Sequence, residues 1–330
     1  MNRAAMLGVG CFAALSWVPY AAAQAPAAKS AGNWPTRPIR IVIPYPPGGT
    51  SDILARLIGN KVTEHWGQQV IVENRTGATG NIGAEAVARA QPDGYTFLLT
   101  DIGNLSIAPS VYKLSYDPLR DLTAVTTVSY SPHLLAVHPS VPVKTMRELI
   151  NLAKANPGKL NYPTGLGGAP HFAGMQFAQR TGVNWTYIGT RGGADSALMV
   201  ASGQADVLFL GMLQTLPHVK NNRLKLIAVS SEKRIEALPD TPTVAEGPGL
   251  AGFVTGSWQG VKAPARVSPD IIAKFNAELV RVLGLPDIKQ KLTSQGTDPV
   301  ANSPQEAAKW FSAEHARMAK LIKDTGFKLE

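Results

Sequence analysis

The sequence predicts an α/β fold of two Rossmann-like domains around a cleft. Short β-branched segments alternate with amphipathic segments that carry apolar residues at helical spacing. This β-α-β alternation favours open, mostly parallel sheets with helices on both faces. It occurs in two runs, near residues 36–135 and 136–250, which predicts two similar domains. Ligands of such sheets bind beyond the carboxyl ends of the strands, so two facing domains can form one cleft.

The first run contains three predicted strands and two predicted helices. Apolar residues of the first helix recur at three- and four-residue spacing, which places them on one face. The second helix ends at a Gln-Pro-Asp-Gly turn, whose proline and glycine interrupt regular structure. The predicted strands are residues 39–43, 70–72 and 95–100, and the predicted helices are residues 51–66 and 82–90.

The same alternation continues to the end of the chain. A Thr145-Met146-Arg147-Glu148 capping box marks the start of one helix. Ser268 followed by Pro269 marks another, because proline is favoured at the first helical position. The predicted helices are residues 145–155, 171–181, 194–201, 268–283 and 304–323, and the predicted strands are residues 160–162, 185–188, 205–210 and 224–230.

The N-terminal residues predict export. Arg3 precedes a short apolar stretch, and small residues follow it at 21–23, which is the pattern of a signal peptide over residues 1–23 cleaved after Ala23. The apolar stretch is too short for a permanent membrane helix, the alternative interpretation. Residues 24–33 are rich in alanine, proline and glycine and predict a flexible leader.

The bulk composition is that of a globular protein that binds small anions. The 330 residues are 45% hydrophobic and 17% charged, with a formal net charge of +9. The basic residues are scattered, so we predict no nucleic-acid partner; the positive balance attracts anionic small molecules instead. Cys11, the single cysteine, lies in the predicted signal peptide. The mature fold must therefore hold itself together by its core.

The loop after the first strand is the first candidate binding segment. Two glycines let its backbone approach a ligand closely, and a threonine or serine that follows can cap the next helix. The free N–H groups at that helix start carry a positive dipole end, which suits a carboxylate. A tight turn before a capped helix is the alternative for this loop alone. The candidate residues are Tyr45, Pro46, Gly48, Gly49, Thr50 and Ser51.

A second glycine-rich loop occupies the same position in the other half, between a strand and a helix. Phosphate is the competing ligand, but neither loop fits the P-loop or the G-x-G-x-x-G pattern. The candidate residues of this loop are Thr164, Gly165, Gly168 and His171.

Two further loops supply candidate polar side chains. Arg191, after Thr190, can contact a carboxylate bidentately, and a solvated loop arginine is the alternative. Asn104 can contribute from the first half, where its neighbour Asp101 would disfavour an anion unless it faces away.

Signatures of catalysis and metal binding are weak. The chain has no G-x-S-x-G nucleophile elbow and no H-E-x-x-H motif, and its six histidines lack zinc-site spacing. We therefore predict no catalytic residue, no metal and no cofactor. The alternative is a hydrolase or lyase that acts on a carboxylate through His171 and a nearby hydroxyl group.

Several short motifs together resemble the Bug family, the substrate-binding proteins of tripartite tricarboxylate transporters. They follow the family order from about Trp34 to the C-terminus. The motifs are Trp34-Pro35-Thr36-Arg37-Pro38-Ile39, Pro44-Tyr45-Pro46-Pro47-Gly48-Gly49-Thr50-Ser51-Asp52, Val72-Glu73-Asn74-Arg75, Gly80-Asn81-Ile82-Gly83, Pro92-Asp93-Gly94-Tyr95-Thr96, Pro157-Gly158-Lys159-Leu160-Asn161-Tyr162, Leu216-Pro217-His218 and Leu238-Pro239-Asp240-Thr241-Pro242-Thr243-Val244.

The resemblance implies a type II periplasmic-binding-protein fold, with one domain at 34–135 plus 252–330 and the other at 136–251. It implies a monomeric periplasmic protein that holds a small carboxylate, partly through waters, between residues 45–51 and 164–171. It also implies delivery of the ligand to the integral-membrane components of a transporter. The alternative is a sensor that contacts a signalling partner when loaded.

The chain departs from the family pattern near the implied site. Thr190-Arg191-Gly192 stands where the family often has Tyr-Lys-Gly, and Leu210-Gly211 where it often has Asp-Asn. Met175 replaces a usual Glu. The change at Leu210 and Gly211 removes an acid and adds apolar surface. We therefore predict a ligand without an ammonium group, such as an apolar or aromatic carboxylate, held in part by Thr190, Arg191, Leu210 and Gly211.

Overall fold

The structure is a computed structural model that describes Met1 and residues 32–325. Apart from Met1, the predicted signal peptide with its cleavage after Ala23 lies outside the described residues, as does the leader up to residue 31. Within the described part of the chain, no helix is long and apolar enough to cross a membrane.

The first part of the chain alternates strands and helices as predicted. A short π-helical turn, Gly103–Ile107, leads out of this run. The elements are β1 (Ile39–Ile43), α1 (Thr50–Trp66), β2 (Val70–Asn74), α2 (Asn81–Ala88), β3 (Thr96–Asp101) and α3 (Ala108–Val111).

The remaining elements include the predicted ones and several that the sequence did not reveal. The capping box is confirmed, because the Thr145 side chain accepts from the Glu148 N–H at 3.2 Å. The elements are β4 (Leu122–Val137), α4 (Met146–Ala155), β5 (Asn161–Thr164), α5 (Ala169–Thr181), β6 (Thr186–Gly189), α6 (Gly193–Ala201), β7 (Val207–Gly211), α7 (Met212–Lys220), β8 (Lys225–Val229), β9 (Gly256–Pro264), α8 (Pro269–Gly284), α9 (Pro286–Thr293), β10 (Asp298–Pro299) and α10 (Pro304–Thr325).

Strand β4 connects the two halves of the molecule. Its first part pairs with β9 and β10, and its last part pairs with β7 and β8. The strand order on the first side is β2-β1-β3-β9-β4-β10, while β5 pairs with β6 alone. The α/β class is confirmed, but the prediction of mostly parallel sheets is wrong. Among residues 32–325, β1 is parallel to β2 and β3, and β5 to β6, whereas every pairing of β4 and β9 is antiparallel.

Each half of the molecule has its own apolar core. One core draws its buried residues from 34–128 and 261–292, with Leu213 added, and contains the close ring pair Phe97 and Phe275 at 4.1 Å. The other draws on 135–253 and contains Phe177 stacked on Trp185 at 5.6 Å. Each fully buried large side chain stabilises the fold by about 1.5–3 kcal/mol. The loops after β1, β5, β6 and β7 therefore follow strands that are packed in these two cores.

A glycine in β9 lets the C-terminal helix pack on the sheet. A Cβ atom on Gly260 would lie 2.4 Å from the ring of Phe311, which is 1% exposed. We therefore expect Gly260→Ala to lower the free energy of unfolding by about 1–3 kcal/mol, as overpacking does in a close-packed core. Urea denaturation followed by circular dichroism measures this change.

Gly284→Ala is the matched control, because a Cβ atom there has nothing within 4 Å. The control should leave stability unchanged or raise it by up to about 1 kcal/mol, since alanine restricts the unfolded chain. Equal effects of the two substitutions would contradict the packing role of Gly260.

Candidate functional site

A cavity of about 670 Å³ lies where loops from the two halves meet. It is lined by the loops after β1, β5, β6 and β7, together with the segment 74–80 and parts of β9. Three predicted site residues, Gly48, Asn104 and His171, are not among its lining residues. The predicted site residues that do line it are Tyr45, Pro46, Gly49, Thr50, Ser51, Thr164, Gly165, Gly168, Thr190, Arg191, Leu210 and Gly211.

Five helices begin at the wall of this cavity, and each has a glycine as its N-cap. None of the five caps is made by a side chain, so the first-turn N–H groups receive no acceptor from the cap residue. The prediction that Thr50 or Ser51 caps α1 is wrong, because Gly49 is the N-cap and both residues lie in the first turn. The cap residues of α1, α2, α5, α6 and α7 are Gly49, Gly80, Gly168, Gly192 and Gly211.

Unpartnered N–H groups and the helix dipole give a helix start partial positive charge. Some first-turn groups of α2 and α7 are already engaged, since Asn81 donates to the Ala78 carbonyl and Met212 donates to Ser131 Oγ at 3.3 Å. The starts of α1, α5 and α6 lie on the same wall, so the cavity still offers backbone donors on several sides. This arrangement suits an anion with oxygen acceptors.

The loop after β1 is held in shape by the carboxylate of Asp52. Gly48, at φ +82°, donates its N–H to Asp52 Oδ2 at 3.0 Å, and Asn74 Nδ2 donates to Asp52 Oδ1 at 3.0 Å. Arg56 pairs with the same carboxylate at 2.9 Å. Burial alone raises the pKa of Asp52, but the bonds from Arg56, Gly48 and Asn74 outweigh burial and hold the pKa below its ordinary value. Gly48 therefore shapes the loop.

The acid Asp101 lines the cavity but is engaged within the wall. Its Oδ1 accepts from the Tyr45 hydroxyl at 2.7 Å and from the Gly103 N–H at 2.9 Å. Burial raises the pKa of Asp101 and also that of Tyr45. The two donors stabilise the carboxylate, so this acid presents less negative charge to the cavity than the sequence suggested.

Strand β9 contributes a polar chain to the cavity wall that the sequence analysis missed. Ser51 Oγ donates to Gln259 Oε1 at 2.7 Å, and Gln259 Nε2 donates to Ser257 Oγ at 3.0 Å. All three side chains are buried. This series of hydrogen bonds links α1 to β9 and fixes the orientation of the Ser51 hydroxyl group.

Arg191 is paired with an acid in the first turn of α6. Its Nε lies 2.6 Å from Asp195 Oδ2, and its side chain is 83% exposed. The hydrogen bond to Asp195 raises the pKa of Arg191 further. The lining residues include no other lysine or arginine, while Asp101 and Asp195 are both acidic. Backbone N–H groups and neutral side chains must therefore supply the attraction for an anion.

Asn104 and His171 support the wall from behind. Asn104 is fully buried and donates its Nδ2 to Asn81 Oδ1 at 2.9 Å. His171 accepts the Gly167 N–H on Nδ1 at 3.0 Å, and burial lowers its pKa to about 4. A neutral His171 thus holds the turn before α5.

Besides Ser257 and Gln259, two lining residues outside the predicted set lie on elements that the sequence did not predict. His133, on β4, is 1% exposed, and burial lowers its pKa to about 3. Gln214 lies in the first turn of α7. Gln214 lies four residues after Leu210, and this short spacing was the sequence signal that could have indicated it. Helix α7 was not predicted, because the proline inside it is typical of a break in helical structure.

Segment 77–80 combines backbone strain with a contact between the halves. Ala78 and Thr79 have φ of 47° and 54°, a conformation that costs non-glycine residues about 1–3 kcal/mol. The Thr79 hydroxyl lies 2.8 Å from the Tyr112 hydroxyl, which donates to the Leu166 carbonyl at 3.3 Å. The strained turn thus joins the first half to the loop before α5.

Replacing Asp52 by Asn should loosen the loop after β1. We expect Asp52→Asn to lower the free energy of unfolding at pH 7 by about 1.5–3 kcal/mol, the range for hydrogen bonds to a charged group. The folded-state pKa of Asp52 is lowered, so its contribution is present above the unfolded pKa of about 3.9 and is lost as the pH falls below it. The difference between wild type and variant should therefore shrink below about pH 4 in urea denaturation.

Glu85→Gln is the control for this prediction. Glu85 pairs with Arg89 on an exposed helix face at 2.8 Å, and such pairs contribute about 0.3–0.5 kcal/mol. A loss from Asp52→Asn no larger than that of Glu85→Gln would show that Asp52 does not hold the loop.

Comparison with protein families gives a match over most of the chain. Residues 54–327 match the family described as "Tripartite tricarboxylate transporter family receptor". The chain is also 32% identical to BugT of Bordetella pertussis over 337 residues, which covers all of both chains.

Two solved structures are similar in both sequence and fold. The R. palustris protein Rpa4515 with adipate is 35% identical, with a TM-score of 0.86 over 89% of this chain and 98% of that one. The periplasmic binding protein BugD is 31% identical, with a TM-score of 0.85 over 90% of this chain and all of that one.

Proposed function

The chain belongs to the tripartite tricarboxylate transporter receptor family, and from this we propose that it is a periplasmic solute-binding protein for a small carboxylate. The observation that carries the proposal is the set of five helix starts with glycine N-caps around one cavity. Their backbone N–H groups are suited to carboxylate oxygens. The similar protein Rpa4515, solved with adipate, adds support.

The predicted absence of an ammonium group on the ligand has support in the cavity wall. Leu210 presents apolar surface where an acid would pair with an ammonium group. The acids that do line the cavity, Asp101 and Asp195, accept from Tyr45 and Arg191. We therefore keep an apolar or aromatic carboxylate as the proposed ligand class.

The proposal includes two domains, at 34–135 plus 252–330 and at 136–251, that enclose the ligand. The separate apolar cores support this division. It also includes cleavage after Ala23, a monomeric mature protein, and delivery of the ligand to the integral-membrane components of the transporter. Ligand release unchanged on denaturation, rather than turnover, is the expected behaviour of such a receptor.

A ligand that binds only the folded protein should raise its stability. We expect adipate or another carboxylate in a thermal-shift screen to add about 2.7 kcal/mol at a hundredfold excess over its dissociation constant. Mass spectrometry of small molecules released from protein purified from its native compartment should then recover a carboxylate unchanged. A protein that responds only to cations or neutral sugars, or that returns a cleaved product, would contradict the proposal.

Thr50→Val tests whether the first turn of α1 contacts the ligand. Thr50 is buried at the cavity wall, and valine preserves its shape. Loss of a hydrogen bond to a charged ligand should weaken binding by about tenfold or more in isothermal calorimetry. Thr123→Val in β4, outside the cavity lining, is the control and should bind as the wild type does. Equal affinities of both variants would remove Thr50 from the site.

A further inference from the structure

We name two parts of the cavity wall by their lining residues: the first end contains Tyr45, Asp101 and Gly168, and the second end contains Gly49, Thr50, Gly193, Leu210, Gly211 and Gln214. At one end, a Cβ atom on Gly103 would lie 3.6 Å from both the Gly168 Cα and the Tyr45 hydroxyl. At the other end, a Cβ atom on Gly211 would lie 3.3 Å from Thr50 Oγ1. A ligand that spans the cavity therefore meets separate groups at its two ends.

Gln214 occupies the second end and reaches both halves of the molecule. Its Nε2 lies 3.3 Å from the position of a Cβ atom on Gly49, at the start of α1. Its Oε1 and Nε2 lie 2.5 and 2.8 Å from the corresponding position on Gly193, at the start of α6. The absence of side chains at these two glycines leaves the space that the carboxamide fills.

The carboxamide of Gln214 has no hydrogen-bond partner among residues 32–325 of the structure. The neighbouring amide Gln259 differs, because it bonds to Ser51 and Ser257. Gln214 is partly buried at the cavity wall, so its amide group faces the space a ligand would fill. It offers two N–H donors and one carbonyl acceptor there.

The surroundings of Gln214 favour its donors over its acceptor. Leu210 Cδ1 lies 2.8 Å from the same position on Gly193 and makes the adjacent wall apolar. The helix starts at Gly49 and Gly193 add backbone N–H groups and partial positive charge. Asp195, the acid on this side, is held by Arg191 at 2.6 Å. A cationic group would find no free carboxylate at this end.

We propose that Gln214 is a specificity-determining residue that donates to an acceptor oxygen at the second end of the ligand. The inference rests on the proposed function and adds a second oxygen acceptor, such as a carboxylate or a carbonyl group, at the far end of an otherwise apolar carboxylate. An ammonium group at that position is rejected. Gln214 does this as a neutral amide, without a net charge of its own.

A series of six-carbon acids with one shared carboxylate tests this assignment. Adipate, 6-hydroxyhexanoate, hexanoate and 6-aminohexanoate differ only in the distal group, which is carboxylate, hydroxyl, methyl or ammonium. We expect the wild type to bind adipate at least about tenfold more tightly than hexanoate, since a charged hydrogen bond is lost in hexanoate. It should bind 6-aminohexanoate most weakly of the four in isothermal calorimetry.

Two variants of Gln214 separate the effect of its hydrogen-bond donors from the effect of its side-chain shape. Gln214→Met keeps the length of the side chain and removes both donors, so adipate should bind about tenfold more weakly while hexanoate is unchanged. Gln214→Glu places a like charge beside the distal carboxylate and an opposite charge beside the distal ammonium. Its preference should shift from adipate to 6-aminohexanoate.

Gln204→Glu is the matched control, because it makes the same charge change at an exposed position in the second half, outside the cavity lining. It should keep the wild-type order of affinities. A melting curve of each variant separates loss of folding from loss of binding.

The outcomes distinguish the inference from the proposed function. If none of the four acids stabilises or binds the wild type, both are overturned. If all four bind equally, or if Gln214→Met keeps the wild-type preference for adipate over hexanoate, only the role of Gln214 is overturned.

Discussion

The first N–H groups of an α-helix have no partner within the helix, and the cavity is built from that constraint. Most helices satisfy one such group with a serine, threonine or aspartate cap. At Gly49, Gly168, Gly192 and Gly211 the cap has no side chain, so the first-turn N–H groups need other acceptors, as at α7, where Met212 donates to Ser131 Oγ at 3.3 Å. Glycine also permits close approach of loops from opposite halves, as at Gly192, where a Cβ atom would lie 3.3 Å from Pro46.

The charged side chains that line the cavity are largely paired with one another or with neutral donors. The one arginine in the lining, Arg191, is neutralised by Asp195, and Asp101 is engaged by Tyr45. A strong fixed cation would hold any anion, whereas backbone dipoles are directional and act over the first turn only. Recognition here therefore depends on where the oxygen atoms of the ligand lie more than on its total charge. The net charge of +9 acts at longer range, on the rate of encounter.

The sequence predicted those elements whose pattern is local. Helices with clear caps and apolar stripes, such as α4 and α8, were found with boundaries close to those observed. Strands β4 and β9 were missed, because their buried threonine, serine and glutamine residues and Pro132 show no alternation. For the site, the glycine-rich loops located part of the lining, including Tyr45, Thr50 and Thr164. Ser257 and Gln259 could not be found, because only the pairing of the missed strand β9 brings them to the cavity, and Gln214 was missed because the proline inside α7 concealed that helix.

The loop after β1 is held more firmly than the opposite wall of the cavity, where Gln214 lies. The loop after β1 is fixed by the bonds that join Asp52 to Gly48, Asn74 and Arg56, so a change there also disturbs the fold. Gln214 makes no such hydrogen bond among residues 32–325 and is only partly buried, so its side chain can change while α7 keeps its start, whereas Leu210 is buried in an apolar cluster. A change of specificity at Gln214, in the first turn of α7, therefore disturbs the fold less than a change in the loop after β1. Gln214 can present neutral donors at this wall without altering the hydrogen bonds that hold the loop after β1.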